Sequence, residues 1–313
     1  MKKLFKIIGI TLGVIIALAL VFAAYVQIDG IPKYEVKTID LNVEITPERV
    51  AQGQKIASME CIACHAAEDG KLTGRQLTEL PAEFGTVYSR NITGDMEKGI
   101  GTWTDGEILY LLRTGIKRDG QYIPPYMSKF HLASDEDMYS VIAWLRSDKI
   151  VPSSTELPES EPSFLAKFLS HVAFKPLPYP EAAIPQPDTN NAVEHGKYLA
   201  NAIYNCYPCH SADFKTMNDL EPEKTGGFYG GGNKMPGLKG EIITTANLTF
   251  DETGIAQYTA EEFTQAVKYN KKRDGTLLRY PMFPHNQLTD KEAIAIYAYL
   301  KTVPKISHKI ESN

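Results

Sequence analysis

All four cysteines of the 313-residue chain lie in two pentapeptides of one form, Cys61-Ile62-Ala63-Cys64-His65 and Cys206-Tyr207-Pro208-Cys209-His210. Cys-x-x-Cys-His is the attachment pattern of c-type haem: the thiols form thioethers with the porphyrin and the histidine binds its iron. The competing interpretation, one zinc site made of four thiolates, leaves both histidines unexplained. The pattern predicts two covalently attached haem c groups, and the predicted contacts are Cys61, Cys64, Cys206 and Cys209 to haem and His65 and His210 to iron.

The similarity between the two halves of the chain extends well beyond these pentapeptides. Arg118-Asp119-Gly120 recurs as Arg273-Asp274-Gly275. A methionine follows each arginine by nine residues, Met127 in the first half and Met282 in the second. Fixed offsets through otherwise different sequence indicate two copies of one domain.

Helix signals fall at matching places in the two halves. Thr104, Thr259 and Thr289 are each followed three residues later by a glutamate, which is the pattern of a capping box. Apolar residues recur after these threonines at helical spacing, and no run of residues has a convincing strand pattern. Each half is therefore predicted to be a small all-α unit whose core is completed by haem.

Met127 and Met282 are the candidates for the sixth iron ligand. A single methionine is more often core filler, but these two hold the same offset in both halves, in loops that contain proline. Methionine in that position raises the reduction potential of the iron, and a second strong ligand suits the iron to electron transfer. His131 and His285 are the rivals, four and three residues after the methionines. The unequal offset of the histidines favours the methionines.

The N-terminal segment contains an apolar run, residues 7–28, without a charged side chain. About twenty such residues span a bilayer as a helix. Lys2, Lys3 and Lys6 precede the run, so the positive-inside rule places the start of the chain in the cytoplasm. A cleaved signal peptide is the alternative, because Val21-Phe22-Ala23 resembles a cleavage site, but the run is long for a signal. The favoured interpretation is a single-pass anchor in a bacterial cytoplasmic membrane, with the haem domains in the periplasm.

These patterns divide the chain into four predicted segments: an anchor or signal (1–30), a first haem domain (31–150), a proline-rich linker (151–190) and a second haem domain (191–313). The eight prolines of the linker favour an extended, semi-rigid chain. An apolar stretch within it, residues 164–174, is expected to form a short helix. Packing between the domains is the favoured place for that helix, and a surface that faces a partner or the membrane is the alternative. A glycine-rich segment, residues 228–240, is interpreted as the main asymmetry between the halves and as a flexible surface insertion or docking loop, with a substrate site near a haem as the alternative.

Several of these motifs resemble those of a known family. Residues 91–107, followed by Arg118-Asp119-Gly120 and Met127, are similar to the c-type cytochrome subunits that serve membrane-bound alcohol, aldehyde and gluconate dehydrogenases. The resemblance covers residues 45–150 and 191–303, although many of those subunits have three haem motifs where this chain has two. It implies two tandem class I cytochrome c domains after the N-terminal helix.

The resemblance also implies roles for particular residues. It pairs His65 with Met127 on one iron, and His210 with Met282 on the other. It further matches two glycines to the place where the terminal helices of each domain cross closely, opposite an aromatic residue. These matched residues are Gly53 with Trp144 and Gly196 with Tyr299.

The expected function is that of a dihaem electron carrier. Such a carrier relays single electrons between a membrane dehydrogenase or a quinol-oxidising partner and an oxidase or a soluble cytochrome. Its net charge of −5 provides no basic surface for nucleic acid, and no catalytic residues are expected. The alternative is an enzyme, either a dihaem peroxidase or a thiosulfate-oxidising cytochrome with one catalytic haem. The nearly equal sixth-ligand loops of the two halves count against that specialisation.

Overall fold

The computed structural model describes residues 2–238 and 240–310. Met1, Lys239 and residues 311–313, which fall in the predicted anchor, glycine-rich segment and second domain, lie outside the described residues. The α-helices, in chain order, are α1 (Lys2–Asp29), α2 (Pro47–Glu60), α3 (Ile62–His65), α4 (Asp105–Thr114), α5 (Asp135–Arg146), α6 (Phe164–Val172), α7 (Ala192–Tyr198), α8 (Cys206–His210), α9 (Ala260–Tyr269) and α10 (Asp290–Leu300). The prediction of a mostly helical chain with an N-terminal apolar helix is confirmed.

Shorter elements connect these helices. The 3-10 turns are Ala82–Phe84, Phe214–Thr216 and Pro222–Lys224, and α7 continues into a π-helical turn, Leu199–Ile203. Two small antiparallel strand pairs are also present: β1 (Gly85–Thr86) with β2 (Glu161–Pro162), and β3 (Lys234–Pro236) with β4 (Ile242–Thr244). Strands of two or three residues are too short to produce a recognisable alternation, which is why the sequence did not predict them.

The predicted helix starts are present in the structure. Thr46 caps α2 by accepting a hydrogen bond from the Arg49 N–H, and Pro47 occupies the first helical turn. The capping boxes form with both reciprocal hydrogen bonds at all three predicted sites, Thr104, Thr259 and Thr289. Because these bonds join residues three apart, local sequence is sufficient to specify them.

Each half of the chain is built on a close crossing of two helices, α2 with α5 and α7 with α10. A Cβ on Gly53 would lie 1.9 Å from the carbonyl oxygen of Ser140 and 2.8 Å from the Cβ of Trp144. A Cβ on Gly196 would lie 1.9 Å from the carbonyl oxygen of Ala295. Real Cβ atoms do not approach a backbone oxygen that closely, so only glycine permits either crossing. The packing therefore confirms the expectation that Gly53 and Gly196 allow two helices to cross closely.

The proline-rich segment 151–190 runs along the surface of the first half. The side-chain amide of Asn91 donates to the carbonyl of Ser153 at 2.6 Å. The Tyr122 hydroxyl donates to the carbonyl of Lys175 at 3.0 Å. The segment is extended over much of its length, as its prolines predict, but it is hydrogen-bonded along the first half.

The helix expected to pack between the domains lies elsewhere. α6 packs against the C-terminal end of α1, where the ring of Phe168 meets Phe22 edge-on at 6.1 Å between centroids. His171 reaches the carbonyl of Gly30 with its Nε2 at 3.0 Å. The expectation was wrong because the end of α1 offers α6 an apolar and aromatic surface, which the local sequence of the linker cannot reveal.

The two halves share one buried apolar cluster and are joined by polar contacts. Lys55 of α2 forms an ion pair with Glu292 of α10, and both side chains are mostly buried. The hydroxyl of Tyr198 on α7 accepts a hydrogen bond from the N–H of Ser134, the residue that caps α5, at 2.9 Å. These contacts bring α2 and the start of α5 against α7 and α10.

Candidate haem sites

The first Cys-x-x-Cys-His pentapeptide begins where α2 ends. Cys61 is the C-cap of α2, and α3 carries the following residues to His65. The Nδ1 of His65 lies 2.7 Å from the carbonyl oxygen of Arg90. A carbonyl can only accept, so Nδ1 carries the proton and Nε2 keeps a free lone pair. Burial also lowers the pKa of His65 and keeps the ring neutral, so that Nε2 is available to bind a metal.

The second pentapeptide repeats this geometry. His210, at the end of α8, has its Nδ1 2.9 Å from the carbonyl oxygen of Ala246. The backbone is also held in the same way, because the N–H groups of Gly74 and Gly231 donate to the carbonyls of His65 and His210, both at 2.8 Å. Both histidines are therefore fixed in the tautomer that an iron ligand requires.

The four cysteines are free and half-buried thiols. Burial raises the pKa of Cys61 and of Cys206 to about 12 and that of Cys209 to about 11. Within residues 2–238 and 240–310, no three His, Cys, Asp or Glu side chains are grouped to hold a metal ion. Among these residues the two cysteine pairs are therefore not drawn together as the single four-thiolate zinc site. Each pair lies beside an oriented imidazole, which fits attached haem.

The two candidate methionines occupy matching turns. The N–H of Met127 donates to the carbonyl of Pro124 at 3.3 Å, and the N–H of Met282 donates to the carbonyl of Arg279 at 3.0 Å. Both side chains are half-buried and pack against the apolar cluster, as do Cys61 and Cys206. The matched offsets in the sequence thus correspond to matched local structures.

The rival histidines do not occupy matching places. His285 donates its N–H to the carbonyl of Val267 at 2.9 Å, and its counterpart in the first half is Phe130, which donates to Leu112 at 2.8 Å. His131 follows Phe130 and is only 8% exposed. Burial, reinforced by a nearby cation, lowers the pKa of His131 to about 4. The first half therefore has a phenylalanine where the second has His285, whereas the methionines remain equivalent.

Glu60 is a residue that the sequence did not single out. Burial raises the pKa of its carboxyl to about 8. Its charge in turn raises the pKa of the neighbouring Cys61 and also that of Cys206 and of Cys209 in the other half of the chain. A single carboxyl close enough to act on both cysteine pairs shows that the two attachment segments are neighbours in space. Glu60 is adjacent in the sequence to only one of the cysteine pairs, so the sequence does not indicate that it lies close to the other.

The extra length of the second half lies in a different place from the one expected. Matching hydrogen bonds join His65 to Gly74, nine residues later, and His210 to Gly231, twenty-one residues later. The additional residues therefore lie within 211–230, which includes only the first three residues of the glycine-rich segment. The prediction failed because composition marks the unusual glycines, whereas only hydrogen bonding shows which residues are equivalent.

The segment 211–230 reaches toward the first half. The Tyr207 hydroxyl donates to Oδ1 of Asp219 at 3.3 Å. Burial lowers the pKa of Lys129 to about 7, and the carboxylate of Asp219 opposes that shift. Asp219 therefore faces the loop that carries Met127.

This chain is similar to a known protein family and to individual known proteins. The family model described as Cytochrome c matches residues 50–149. A protein of Cereibacter sphaeroides described as "Diheme cytochrome c-type" is 30% identical over 259 residues, which are 79% of this chain and 82% of that protein.

Two relatives belong to larger dehydrogenases. The cytochrome c subunit of the alcohol dehydrogenase (quinone) of Gluconacetobacter polyoxogenes is 26% identical over 273 residues, 82% of this chain and 56% of that protein. One component of the nicotinate dehydrogenase of Pseudomonas putida is 28% identical over 222 residues, 68% of this chain and 18% of that component. The chain thus spans little more than half of the first relative and less than a fifth of the second.

Proposed function

The chain belongs to the c-type cytochrome family, an electron-transfer family with covalently attached haem c, and we propose that it is a membrane-anchored carrier with two haems. In this proposal it relays single electrons between a membrane dehydrogenase or a quinol-oxidising partner and an oxidase or a soluble cytochrome. Its residues fall into two sets, each of which holds one haem: Cys61, Cys64, His65 and Met127, and Cys206, Cys209, His210 and Met282.

The observation that carries the proposal is the repeated orientation of the two proximal histidines. His65 and His210 each direct Nδ1 at a backbone carbonyl, at 2.7 and 2.9 Å, and leave Nε2 free. When bound, haem supplies an iron that gains or loses one electron. The chain holds the imidazoles in place, and a half-buried methionine in each half supplies the second ligand. This arrangement needs no acid–base residue.

The closeness of the two attachment segments supports transfer between the haems. Glu60 lies near the cysteines of both pentapeptides. The Tyr280 side chain, from the loop that carries Met282, is close enough to Cys64 for their charges to interact. Loops of one half thus approach the haem segment of the other, which favours a relay within one molecule over two independent carriers.

The location follows from α1, the helix of residues Lys2–Asp29. Its most apolar stretch is entirely unburied, which fits a helix surrounded by lipid. With Lys2, Lys3 and Lys6 on the cytoplasmic side, the haem-binding units lie in the periplasm of a bacterium. Because relatives of this chain are cytochrome subunits of dehydrogenases, a membrane-bound dehydrogenase is the favoured electron donor.

The test is the haem content and the spectra of the purified full-length protein. Two haems per chain, both low-spin with histidine–methionine ligation and slow to bind cyanide, are the expected result. One haem per chain contradicts the dihaem carrier. A high-spin haem, or one that binds cyanide or peroxide quickly, contradicts the carrier hypothesis and supports the enzyme alternative at that iron. Membrane retention after a carbonate wash and an intact N-terminus test the anchor separately.

A further inference from the structure

α6, the helix from Phe164 to Val172, presents an apolar face that the protein does not cover. Phe164 is 46% exposed, Leu165 is 41% exposed and Val172 is 50% exposed. The opposite side of the helix is buried and carries the small residues Ala166 and Ser170. A contiguous exposed apolar face on a helix marks a surface that binds another apolar phase.

α6 is attached to the membrane helix α1. Phe168 packs edge-on against Phe22, and the His171 ring lies 5.3 Å from the ring of Tyr25. His171 also contacts the carbonyl of Gly30 through Nε2 at 3.0 Å. The order of these contacts aligns α6 with α1 and places the N-terminal end of α6 toward the apolar body of α1. That end is also held on the first half, because the N–H of Ser163 donates to the carbonyl of Phe84 at 3.0 Å.

The length of α1 sets the depth of these contacts in a bilayer. The hydrocarbon core takes about twenty helical residues. Counted from Lys6, the last cationic residue before the apolar run, this distance ends near Val26, the one buried residue of α1. Phe22 and Tyr25 therefore lie at the periplasmic boundary of the hydrocarbon, where aromatic residues are enriched. α6 is packed on these residues and lies at the same depth.

We propose that α6 is a second membrane-binding element, which inserts Phe164 and Leu165 into the periplasmic interface of the bilayer beside α1. This inference rests on the proposed function, because it requires α1 to be a retained anchor. The helix itself carries no acidic residue, although the exposed Glu161 precedes it, and Lys167 and the nearby Lys175 are cations that anionic headgroups attract. Two adjacent membrane-binding helices, α1 and α6, hold the haem-binding units at a fixed height above the membrane. A single helix would leave these units free to tilt.

In this proposal the last turns of α1 have a second role, which is to hold α6. A peptidase that cut near Ala23 would remove Phe22 and leave the ring of Phe168 without its partner on α1. The contacts of Tyr25 and Gly30 with His171 use residues after that cut and would survive it. The contact of Phe22 with Phe168 is therefore the argument for an intact anchor.

The experiment uses the full-length haem protein in vesicles of phosphatidylethanolamine and phosphatidylglycerol. The photoreactive amino acid p-benzoylphenylalanine replaces Leu165, or Leu12 in the apolar body of α1, or Leu277, a loop leucine of the second half that is 66% exposed. After illumination, mass spectrometry measures the fraction of protein joined to lipid. Absorbance of the attached haem shows that each variant is folded.

The expected result is a gain of lipid adducts at positions 165 and 12, with only background at 277. Adducts at 12 without adducts at 165 overturn the role of α6 and leave the anchor intact. Absence of adducts at both 12 and 165 overturns the anchor, and with it the membrane part of the proposed function. Equal adducts at 165 and 277 also contradict the inference, because they indicate unspecific contact with lipid.

Discussion

At the scale of single residues, the sixth ligand decides what each iron can do. Replacing Met127 or Met282 with leucine keeps the volume of the side chain but removes the thioether sulfur. We expect each variant to lose the methionine–ferric charge-transfer band of one haem and to lower its reduction potential, because methionine ligation raises it. Absorbance spectroscopy and a redox titration measure both effects.

Met138→Leu is the matched control for these variants. Met138 is completely buried in the core and has no counterpart in the second half, so its replacement should leave the charge-transfer bands unchanged. His285→Gln tests the rival ligand in the second half. If the wild type lacks the methionine–ferric band of the second haem, and its low-spin spectrum changes in His285→Gln but not in Met282→Leu, His285 is the ligand instead.

The buried His131 is expected to make the free energy of unfolding depend on pH. Burial lowers its pKa to about 4 in the folded chain, below its ordinary value. Below about pH 6.5 the unfolded chain takes up a proton that the folded chain does not, so the free energy of unfolding falls as the pH is lowered. The loss is complete near pH 4 and amounts to about 3 kcal/mol. Urea unfolding of wild type and His131→Gln between pH 4 and 7 measures it.

The variant His131→Gln cannot titrate, so its stability should depend less on pH in that window. Other groups that bind protons contribute equally to both proteins, and the difference between the two curves isolates His131. Parallel curves for the two proteins would contradict the prediction.

At the scale of secondary-structure elements, the close helix crossings determine the packing of each half. Gly53→Ala places a methyl group against the carbonyl of Ser140, which cannot move without separating α2 from α5. We expect the free energy of unfolding to fall by about 3 kcal/mol, at the upper end of the range for overpacked sites. Chemical denaturation followed by circular dichroism measures the change.

Gly94→Ala is the control for that substitution, because the nearest atom to its new Cβ is Cγ of Pro152 at 3.9 Å. A change within about 0.5 kcal/mol is expected there, as for an ordinary surface site. A similar loss in both variants would mean that the helix crossing is not the cause.

At the scale of the whole molecule, the ion pair of Lys55 with Glu292 joins the two halves. Their side chains are only 18% and 14% exposed, so water screens the pair weakly. A double-mutant cycle of Lys55→Met and Glu292→Gln should give a coupling energy of at least about 1 kcal/mol. Denaturant unfolding of the wild type, both single variants and the double variant measures the coupling.

The pair of Lys224 with Glu221 is the exposed comparison, with side chains 65% and 55% exposed. Its cycle should give no more than about 0.5 kcal/mol, as exposed pairs do. Equal coupling energies in the two cycles would show that Lys55 and Glu292 do not hold the halves together.

Local sequence was sufficient to predict the features whose causes lie within a few residues. The haem pattern depends on a cysteine pair and the following histidine, and the capping boxes at Thr104, Thr259 and Thr289 depend on a glutamate three residues away. The apolar run of α1 is equally local. Repetition added the equivalence of Met127 and Met282, because offsets along the chain survive when the intervening residues change.

The contacts between these parts could be seen only in the folded protein. The orientation of His65 depends on a carbonyl twenty-five residues away, and the neighbourhood of Glu60 includes cysteines more than a hundred residues away. The packing of α6 on α1 and the position of the insertion, within residues 211–230, were likewise not evident from composition. Such contacts depend on which surfaces are complementary when the chain folds, and local sequence patterns do not specify that complementarity.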